Sequence, residues 1–589
     1  MSLGLDAAIW GAFASALMLA LTAGVLTRLG MRMGLTWAWS EAWAVALGVS
    51  GALAAVATRI VLEQGTVAEV YALNLFIFAV LLSIALESHK NPQSLLLFAL
   101  VTGLGLANHT SFILPLIPLA VVMFHRLPSA RILPVAGLMF LLGLSVWLYL
   151  PLRAHATPVI AWGWPDNWAR FWEHVFRSTY GGMQPTRLDF LPRHLWQMIV
   201  AMPDMLGWFL LPFTLLGFAC LWIKRRRVAW ILLWILIFTG PVAAVLLTLL
   251  LQPHQIGEFL IWLAPFYFVL GLLAGWGTII GMKWLFQHHL SPLVKVATII
   301  AGWVLISSPV IINLPAVSKA GYFYAEDYGH NLLSTLAYRS AYIAELRNSL
   351  GTFETAYLVK VRQLRPDVRF VDLTATVFTG RTDYEQFRIL TLEEKERWRQ
   401  ETEVRALRSG LDCYYSYLSP LPQSMGFALV DDGMLFRAVP AHKPAADNII
   451  PYYCYSLRGL DELPPDDEWA VIAAVRYRTN LGVILWRQGR QAEGQTELDE
   501  AQRTAQEETW ALASIGEAWI YLGGWEKAAE LYAESIDVLP PEMRNSLEFA
   551  WDIGGLYLNL AIVRAKTGDR EGADEALGKV RELCPQLLR

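Results

Sequence analysis

A carboxylate at the mouth of an apolar run is the first feature of this sequence whose type and place could do chemistry. A short polar loop carrying Glu63 and Glu69 runs through VAEVYALN, Val67 to Asn74, straight into an apolar stretch that ends near Leu86. A charge at such a lip is costly to keep, so function is its default reading, and a carboxylate there can take or give a proton. The competing reading is a cap, because a negative charge also suits a helix start. Asn108-His109-Thr110 interrupts a second apolar run and forms another polar spot. Arg153 follows directly on a third run. Its guanidinium fork matches phosphate oxygens, although snorkelling to headgroups would place it equally well.

The elements that must position these groups are membrane helices. At 589 residues, 55% hydrophobic and 17% charged, the chain is too long and too apolar for one soluble domain. Of the 47 Lys+Arg and 51 Asp+Glu, 17 and 10 lie before Val317 and 30 and 41 follow, so a slightly basic membrane half precedes an acidic soluble half. The acidic half argues against nucleic acid as a partner. Cys220, Cys413, Cys454 and Cys584 have no metal-ligand spacing and give no disulfide framework; a Cys413–Cys454 bridge has no support. No His, Cys, Asp and Glu cluster has metal spacing either, so no cofactor is identified and a divalent metal is left unassigned.

About ten apolar runs come near the roughly 20 residues that cross a bilayer. They lie at Ala7 to Leu29, Ala44 to Leu62, Val70 to Leu86, Ser94 to Ala107, Phe112 to Phe124, Ile132 to Leu152, Met205 to Ile223, Val228 to Leu251, Phe259 to Gly281 and Val294 to Leu314. The fourth and fifth are short, either two tilted helices or a helix and a re-entrant piece. Alternate loops carry Arg28 and Arg32, Lys90, Arg126 and Arg131, Lys224 to Arg227, and Lys283 and Lys295, while the opposite short loops carry only Arg59. The basic set is expected to be cytoplasmic. Glu63, Glu69, Asn108, His109, the loop after Arg153, the loop His254 to Glu258 and everything after Leu314 then share the outer face. By the same parity the N-terminus starts outside with no signal peptide, which leads us to expect one more span ahead of Met1.

In the long outer loop, Asp166 is the expected N-cap of a helix with Trp168, Phe171, Trp172, Val175 and Phe176 on one face and Arg170, Glu173 and Arg177 near the other. Such a helix lies in the membrane interface or packs on the bundle. Beyond Leu314, a helix at Tyr322 to Leu336, a strand at Val368 to Leu373 and the apolar run Phe427 to Val430 predict a small α/β module up to about Tyr455. The stretch Leu392 to Leu407 reads as a solvated helix. Leu481-Gly482 with Leu485, Gly494, Leu498 and Ala501 recurs 34 residues on as Ile515-Gly516 with Trp519, Ala528, Tyr532, Ser535 and Pro540, and again, after an insertion, as Leu560-Ala561 with Ala573, Leu577, Val580 and Pro585. That period and those small residues match tetratricopeptide repeats. The expected fold is therefore mostly α: a polytopic helical bundle over 1–316, an outer-face α/β module over 317–455 and a repeat solenoid over 456–589.

Several segments, in order, resemble one family. They are Glu69-Val70-Tyr71-Ala72-Leu73-Asn74, Gly105-Leu106-Ala107-Asn108-His109-Thr110, Tyr149-Leu150-Pro151-Leu152-Arg153-Ala154, Trp162-Gly163-Trp164-Pro165 with His174 and Tyr180-Gly181, Asp327-Tyr328 with Asn331-Leu332-Leu333, and Arg365-Pro366-Asp367-Val368. Over roughly Ala7 to Leu373 the chain resembles a bacterial member of the multi-span family that includes the animal O-mannosyltransferase modifying plexin-type domains. The resemblance implies a GT-C glycosyltransferase that moves a sugar, with mannose the candidate, from a polyprenyl-phosphate donor to an acceptor at the outer face of the cell (inner) membrane. It implies roles for Glu69 as base or secondary acid, Arg153 as phosphate partner, and Asn108, His109 and His174 as substrate-binding groups.

Two departures temper this. Family members begin with a further span and a Gly-Asp-Ser-Gly-Glu type loop whose Asp is the presumed base, and the chain is expected to start after it. Where the family has a Gly-Asp-Asn-Asp-Thr cluster, this chain has Leu350-Gly351-Thr352-Phe353-Glu354-Thr355. The alternative is an inactive membrane scaffold that recruits a protein partner through its repeats. A transporter would show repeats among its spans, and none is seen.

Overall fold

The computed structural model describes residues 7–87, 91–125, 130–158, 160–176, 185–251, 256–288, 291–344, 349–373, 380–416, 419, 421–442, 458–460, 468–505, 508–544 and 550–588. Lys90, Arg126, Arg177, Tyr180, Gly181, His254 and Cys454, singled out above, lie outside them. Contacts divide the chain into two compact units, Met1–Leu152 with Phe171–Lys319, and Arg153–Arg170 with Ala320–Arg589.

The first unit opens with α1 (Ala7–Thr36), α2 (Glu41–Val56), α3 (Arg59–Gln64), α4 (Tyr71–Glu87), α5 (Pro92–Asn108) and α6 (Ile113–His125). Among the described residues five helices are long and apolar enough to cross a membrane: Ala7–Thr36, Ala130–His155, Arg226–Leu250, Ala264–Phe286 and Pro292–Val317. A sixth is counted if Arg187–Leu206 and Leu211–Lys224, bent by 99°, make one span. That is fewer than the ten apolar runs of the sequence. The difference lies in α2, α4, α5 and α6, which are helical and apolar but, at 16, 17, 17 and 13 residues, shorter than those five. The bend falls at Gly207, whose φ of 85° is a left-handed conformation that a glycine adopts without a Cβ penalty.

Helix backbones touch where glycines face each other. Gly30 of α1 meets Gly48 of α2, Gly103 of α5 meets Gly143, and Gly217 meets Gly277. A Cβ at Gly48 would collide with the Thr27 carbonyl oxygen, and one at Gly277 with that of Phe213. The two ends of the unit differ in charge. At one, Arg28 and Arg32 pair with Glu87, Arg225 donates to the Thr36 carbonyl at 2.7 Å, and Lys283 sits over the rings of Trp39 and Trp43 at 4.9 and 5.4 Å. At the other, Glu63 faces Lys319 at 3.7 Å and Thr66 donates to the Val317 carbonyl at 3.2 Å.

The second unit holds a five-stranded sheet of β1 (Ala341–Ala344), β2 (Arg369–Asp372), β3 (Cys413–Tyr415), β4 (Phe427–Asp432) and β5 (Leu435–Pro440) in the order β2-β1-β3-β5-β4. The first three strands are parallel and the last two antiparallel. The helix Tyr324–Thr335 and strand β2 fall where the sequence placed them. Leu350 to Thr355 lies in the helix Ser349–Ala356. The helix Leu392–Leu407 starts from a Thr391/Glu394 capping box, yet Trp398, Glu403, Ala406 and Leu407 are buried, so it is solvated on part of its surface only.

Three helix pairs follow: Glu468–Arg487 with Gln491–Ala505, Thr509–Leu522 with Trp525–Asp537, and Ala550–Thr567 with Arg570–Leu583. They are joined to the sheet module rather than separate from it. Tyr477 accepts from Asn331 at 2.7 Å, Arg487 pairs with Asp431, and Tyr521 donates to Asp431 at 3.3 Å.

Arg365 is the clasp of the module. It binds both oxygens of Asp367 at 2.8 Å and donates to the carbonyls of Leu333, Leu336 and Ala337 that end the helix Tyr324–Thr335. These bonds, with the Arg339 N–H, hold the Asp367 carboxyl well below the usual carboxylate range. A carboxyl whose pKa is lower folded than unfolded stabilises fully above the unfolded value of about 3.9 and stops doing so as pH falls below it. The thermal midpoint of this unit is therefore expected to drop as pH is lowered through about 4, and Arg365→Met to flatten that dependence while costing about 2–4 kcal/mol at neutral pH. In the first unit, Gly277→Val should force two backbones apart and lower the yield of folded protein, read as the monodisperse fraction after extraction, whereas Gly137→Val, at a glycine with open space around it, should leave that yield unchanged.

Candidate functional site

Local chemistry explains why the two polar spots of the sequence meet. His109 has an extended backbone, φ −157° and ψ 137°, and its N–H closes the last turn of α5 on the Gly105 carbonyl. Its Nδ1 accepts from the Ser111 N–H at 3.3 Å and lies 2.7 Å from the Ser111 hydroxyl. One residue thus ends α5 and starts the turn Thr110–Phe112 that leads into α6. The fourth and fifth apolar runs are two helices broken at this histidine.

Asn108, one residue earlier, reaches across to the start of α4. Its Nδ2 donates to the Val70 carbonyl at 3.1 Å and to Oδ1 of the buried Asn74 at 3.5 Å. The His109 ring packs on Tyr71 at 5.3 Å and meets Trp262 edge-on at 5.0 Å. Glu69 is exposed in the loop before α4, its Oε2 accepting from the Val70 N–H at 3.3 Å, while Ser15 of α1 donates to its backbone carbonyl at 3.4 Å. The cap reading of Glu69 is therefore realised in part, and it leaves the carboxylate at the surface. The arrangement puts a proton acceptor, an amide and an imidazole on one lip.

The same end of the unit buries further polar groups that the sequence did not single out. His194, on the helix Leu191–Val200, lies 2.8 Å from the Thr248 hydroxyl and stacks on Phe259 at 4.7 Å. Arg187 donates to the Leu250 carbonyl at 2.7 Å. Asn74 and Trp262 were missed too. Asn74 ends the VAEVYALN segment, five residues from Glu69, and that spacing was the available signal. Trp262 lies in an apolar run and carried none.

Arg153 and His174 are placed differently. Arg153 is exposed in the last turn of the helix Tyr149–His155 and belongs to the second unit. His174 is half-buried on the helix Trp168–Val175. The cap of Trp168–Val175 is Asn167, whose Oδ1 accepts from the Arg170 N–H at 3.0 Å. Asp166, expected there, is instead buried and pairs with Arg170 and, at 2.8 Å, with Arg381. Arg170 is likewise buried, 2.7 Å from Glu385, so it faces away from solvent. The aromatic face is split, with Phe171 and Val175 buried and Trp168, Trp172 and Phe176 exposed. Among the described residues no three His, Cys, Asp or Glu side chains are grouped as around a metal.

Residues 1–131 match the family of the protein O-mannosyl-transferase TMEM260 N-terminal domain. The match is confined to residues 1–131 of the 589, which are similar to that N-terminal domain. That domain is of an O-mannosyltransferase, which points to a glycosyltransferase, and it contains Glu69, Asn74, Asn108 and His109, while Arg153 and His174 lie beyond it. No curated protein matches the chain.

Within the matched stretch the Asn108 amide ties the end of α5 to the start of α4. Asn108→Ala is expected to cost about 0.5–1.5 kcal/mol by removing its bonds to the Val70 carbonyl and to Asn74, the Val70 carbonyl keeping its bond from the Asn74 N–H. It should also speed hydrogen exchange at Tyr71 to Asn74 more than in the middle of α5.

Proposed function

We propose that this chain is a membrane glycosyltransferase of the GT-C type, transferring a sugar, with mannose the candidate, from a polyprenyl-phosphate donor to an acceptor hydroxyl at the outer face of the cell membrane. The observation that carries the proposal is the match of residues 1–131 to an O-mannosyltransferase domain inside which Asn108 and His109 converge on the Glu69 loop. In the reaction, the acceptor oxygen forms a bond to the sugar's anomeric carbon as the bond from that carbon to the phosphate oxygen breaks. The acceptor proton passes to Glu69, and polyprenyl phosphate leaves. Asn108 and His109 supply hydrogen bonds to sugar or phosphate, and His174 is a further substrate-binding candidate. Exposure of Glu69 suits a base that must meet an acceptor arriving from solution.

Charge supports the orientation. The end that holds Arg28, Arg32, Arg225 and Lys283 is read as cytoplasmic and the Glu69 end as outer, which puts the C-terminal half outside as well. The three helix pairs are read as tetratricopeptide repeats, supported by the close approach of Gly482 to Gly494 and of Gly516 to Tyr532. They offer a surface for a protein partner.

The test is sugar transfer from a radiolabelled polyprenyl-phosphate hexose in membranes containing the folded protein. Transfer by the native chain, reduced about 10²–10⁴-fold by Glu69→Gln, is the expected outcome for a general base. Absence of transfer from the folded, inserted chain would favour the scaffold.

A further inference from the structure

At the end of the first unit that holds Arg28, Arg32 and Arg225, lysines rest on aromatic rings rather than on carboxylates. The Lys283 ammonium, on a half-buried residue, lies 4.9 Å from the Trp39 ring and 5.4 Å from that of Trp43. Trp43 meets Phe286 edge-on at 5.3 Å, and the ammonium of Lys295, also half-buried, lies over the Phe286 ring at 5.9 Å. These groups come from the turn after α1, from α2 and from the helices Ala264–Phe286 and Pro292–Val317. The turn is held firmly: the Trp37 and Trp39 N–H groups donate to the Gly34 carbonyl at 3.0 and 3.2 Å, and Arg225 donates to that of Thr36 at 2.7 Å. Of the acids at this end, Glu87 pairs with Arg28 and Arg32, while Glu41 is exposed, and neither lysine forms an ion pair among the described residues. Thr36 lies about 30 Å along α1 from Ser15, which marks the Glu69 end.

Two ordinary readings come first. A lysine in the last turn of a helix suits its dipole, and lysines at the rim of a membrane bundle extend toward the headgroups. The dipole reading fits Lys283, in the last turn of Ala264–Phe286, but is reversed for Lys295, which closes the first turn of Pro292–Val317, where a cation is disfavoured. Extension toward headgroups explains a long side chain at a rim. It does not explain why both lysines are half-buried on rings gathered from separate elements. A ring face attracts an ammonium without replacing the hydrogen bonds of its lost water, whereas an anion supplies acceptors and offsets the dipole at Lys295. Exposed apolar side chains flank both cations in sequence, Trp284 and Leu285 after Lys283, and Leu293, Val294 and Val296 around Lys295. An anion that also has apolar chains to lay on that surface is a phospholipid.

We propose that Lys283 between Trp39 and Trp43, with Lys295 on the adjoining Phe286 ring, is a binding site for the headgroup of an anionic phospholipid from the leaflet at that end. The ammonium groups donate to phosphate oxygens in charge-assisted hydrogen bonds, the indoles sit at headgroup level, and the acyl chains lie along the two helices. The bound lipid ties the turn after α1 to the helices Ala264–Phe286 and Pro292–Val317, so it stabilises the folded bundle by mass action. It takes no part in sugar transfer, whose candidate groups lie at the other end, and it stands whether or not the glycosyltransferase reading does.

The experiment measures the thermal midpoint of the purified full chain in an uncharged detergent, titrated with phosphatidylglycerol, with phosphatidylcholine of the same acyl chains, and with inorganic phosphate. Phosphatidylglycerol is expected to raise the midpoint saturably. Phosphatidylcholine should need at least about tenfold more for the same shift, and inorganic phosphate at least about a hundredfold more. Lys283→Gln should weaken half-saturation by phosphatidylglycerol at least about fivefold, and adding Lys295→Gln should abolish the shift. Lys224→Gln, which removes an exposed charge of the same end outside the cluster, should leave it within about twofold. If Lys283→Gln does not fold, Lys295→Gln alone decides, with half-saturation weakened at least about threefold. No saturable shift, equal responses to the two phospholipids, an equal response to inorganic phosphate, an unchanged response in the folded lysine variants, or an equal loss in Lys224→Gln overturns the proposal.

Discussion

Lipid tails are as apolar as leucine, so helices inside a bilayer gain little by hiding apolar side chains from it, and close packing must hold them together. In this molecule that packing is backbone against backbone at Gly30–Gly48, Gly103–Gly143 and Gly217–Gly277. The Gly103–Gly143 crossing lies five residues before Asn108, and so fixes the end of α5 from which Asn108 reaches Val70. The Gly30–Gly48 crossing fixes α1, whose Ser15 holds the Glu69 carbonyl. The polar lip is thus an outcome of contacts made in the apolar interior. No side chain at the lip would hold its place if the crossings opened.

Much of this was legible in the sequence, and the limits have physical causes. Apolar runs and a polar break need only composition, so the helices and the interruption at Asn108-His109 were read correctly. Span number stays an expectation, because a run of 16 or 17 apolar residues, as in α2, α4 and α5, is helical either way and only its length against the bilayer decides. Asp166 was mistaken for a cap because an acidic residue before a helix is normally one. Asn167 was equally able to do it, and only the Arg381 side chain, more than two hundred residues on, reveals why Asp166 turns inward. Arg187 and Trp262 were invisible for a related reason, since their partners come from elements remote in sequence.

Motifs that carry a family resemblance need not all serve chemistry. Arg365 and Asp367 clasp a helix end to the sheet, and Asp327 is buried against the backbone N–H and guanidinium of Arg458. The Trp-Gly-Trp-Pro segment leads into the Asp166–Arg170 ion pairs and packs Trp164 with Ala161 and Tyr384. These residues shape the second unit. The Glu69 and Asn108 segments, by contrast, leave a carboxylate at a surface, with an amide and an imidazole gathered near it.

The clasp between sheet and helix pairs has a consequence for how the chain is made. Asp327 waits for Arg458, 131 positions later, Asn331 for Tyr477, 146 positions later, and Asp431 for Tyr521, 90 positions later. Contacts of such separation are slow to close. A ribosome adding about 5–20 residues per second leaves the sheet without its helical cover for several seconds. During that interval Tyr328, whose buried ring packs on Tyr477 in the finished protein, lacks that neighbour. The second unit is therefore a natural client for a holding chaperone on whichever side of the membrane it emerges.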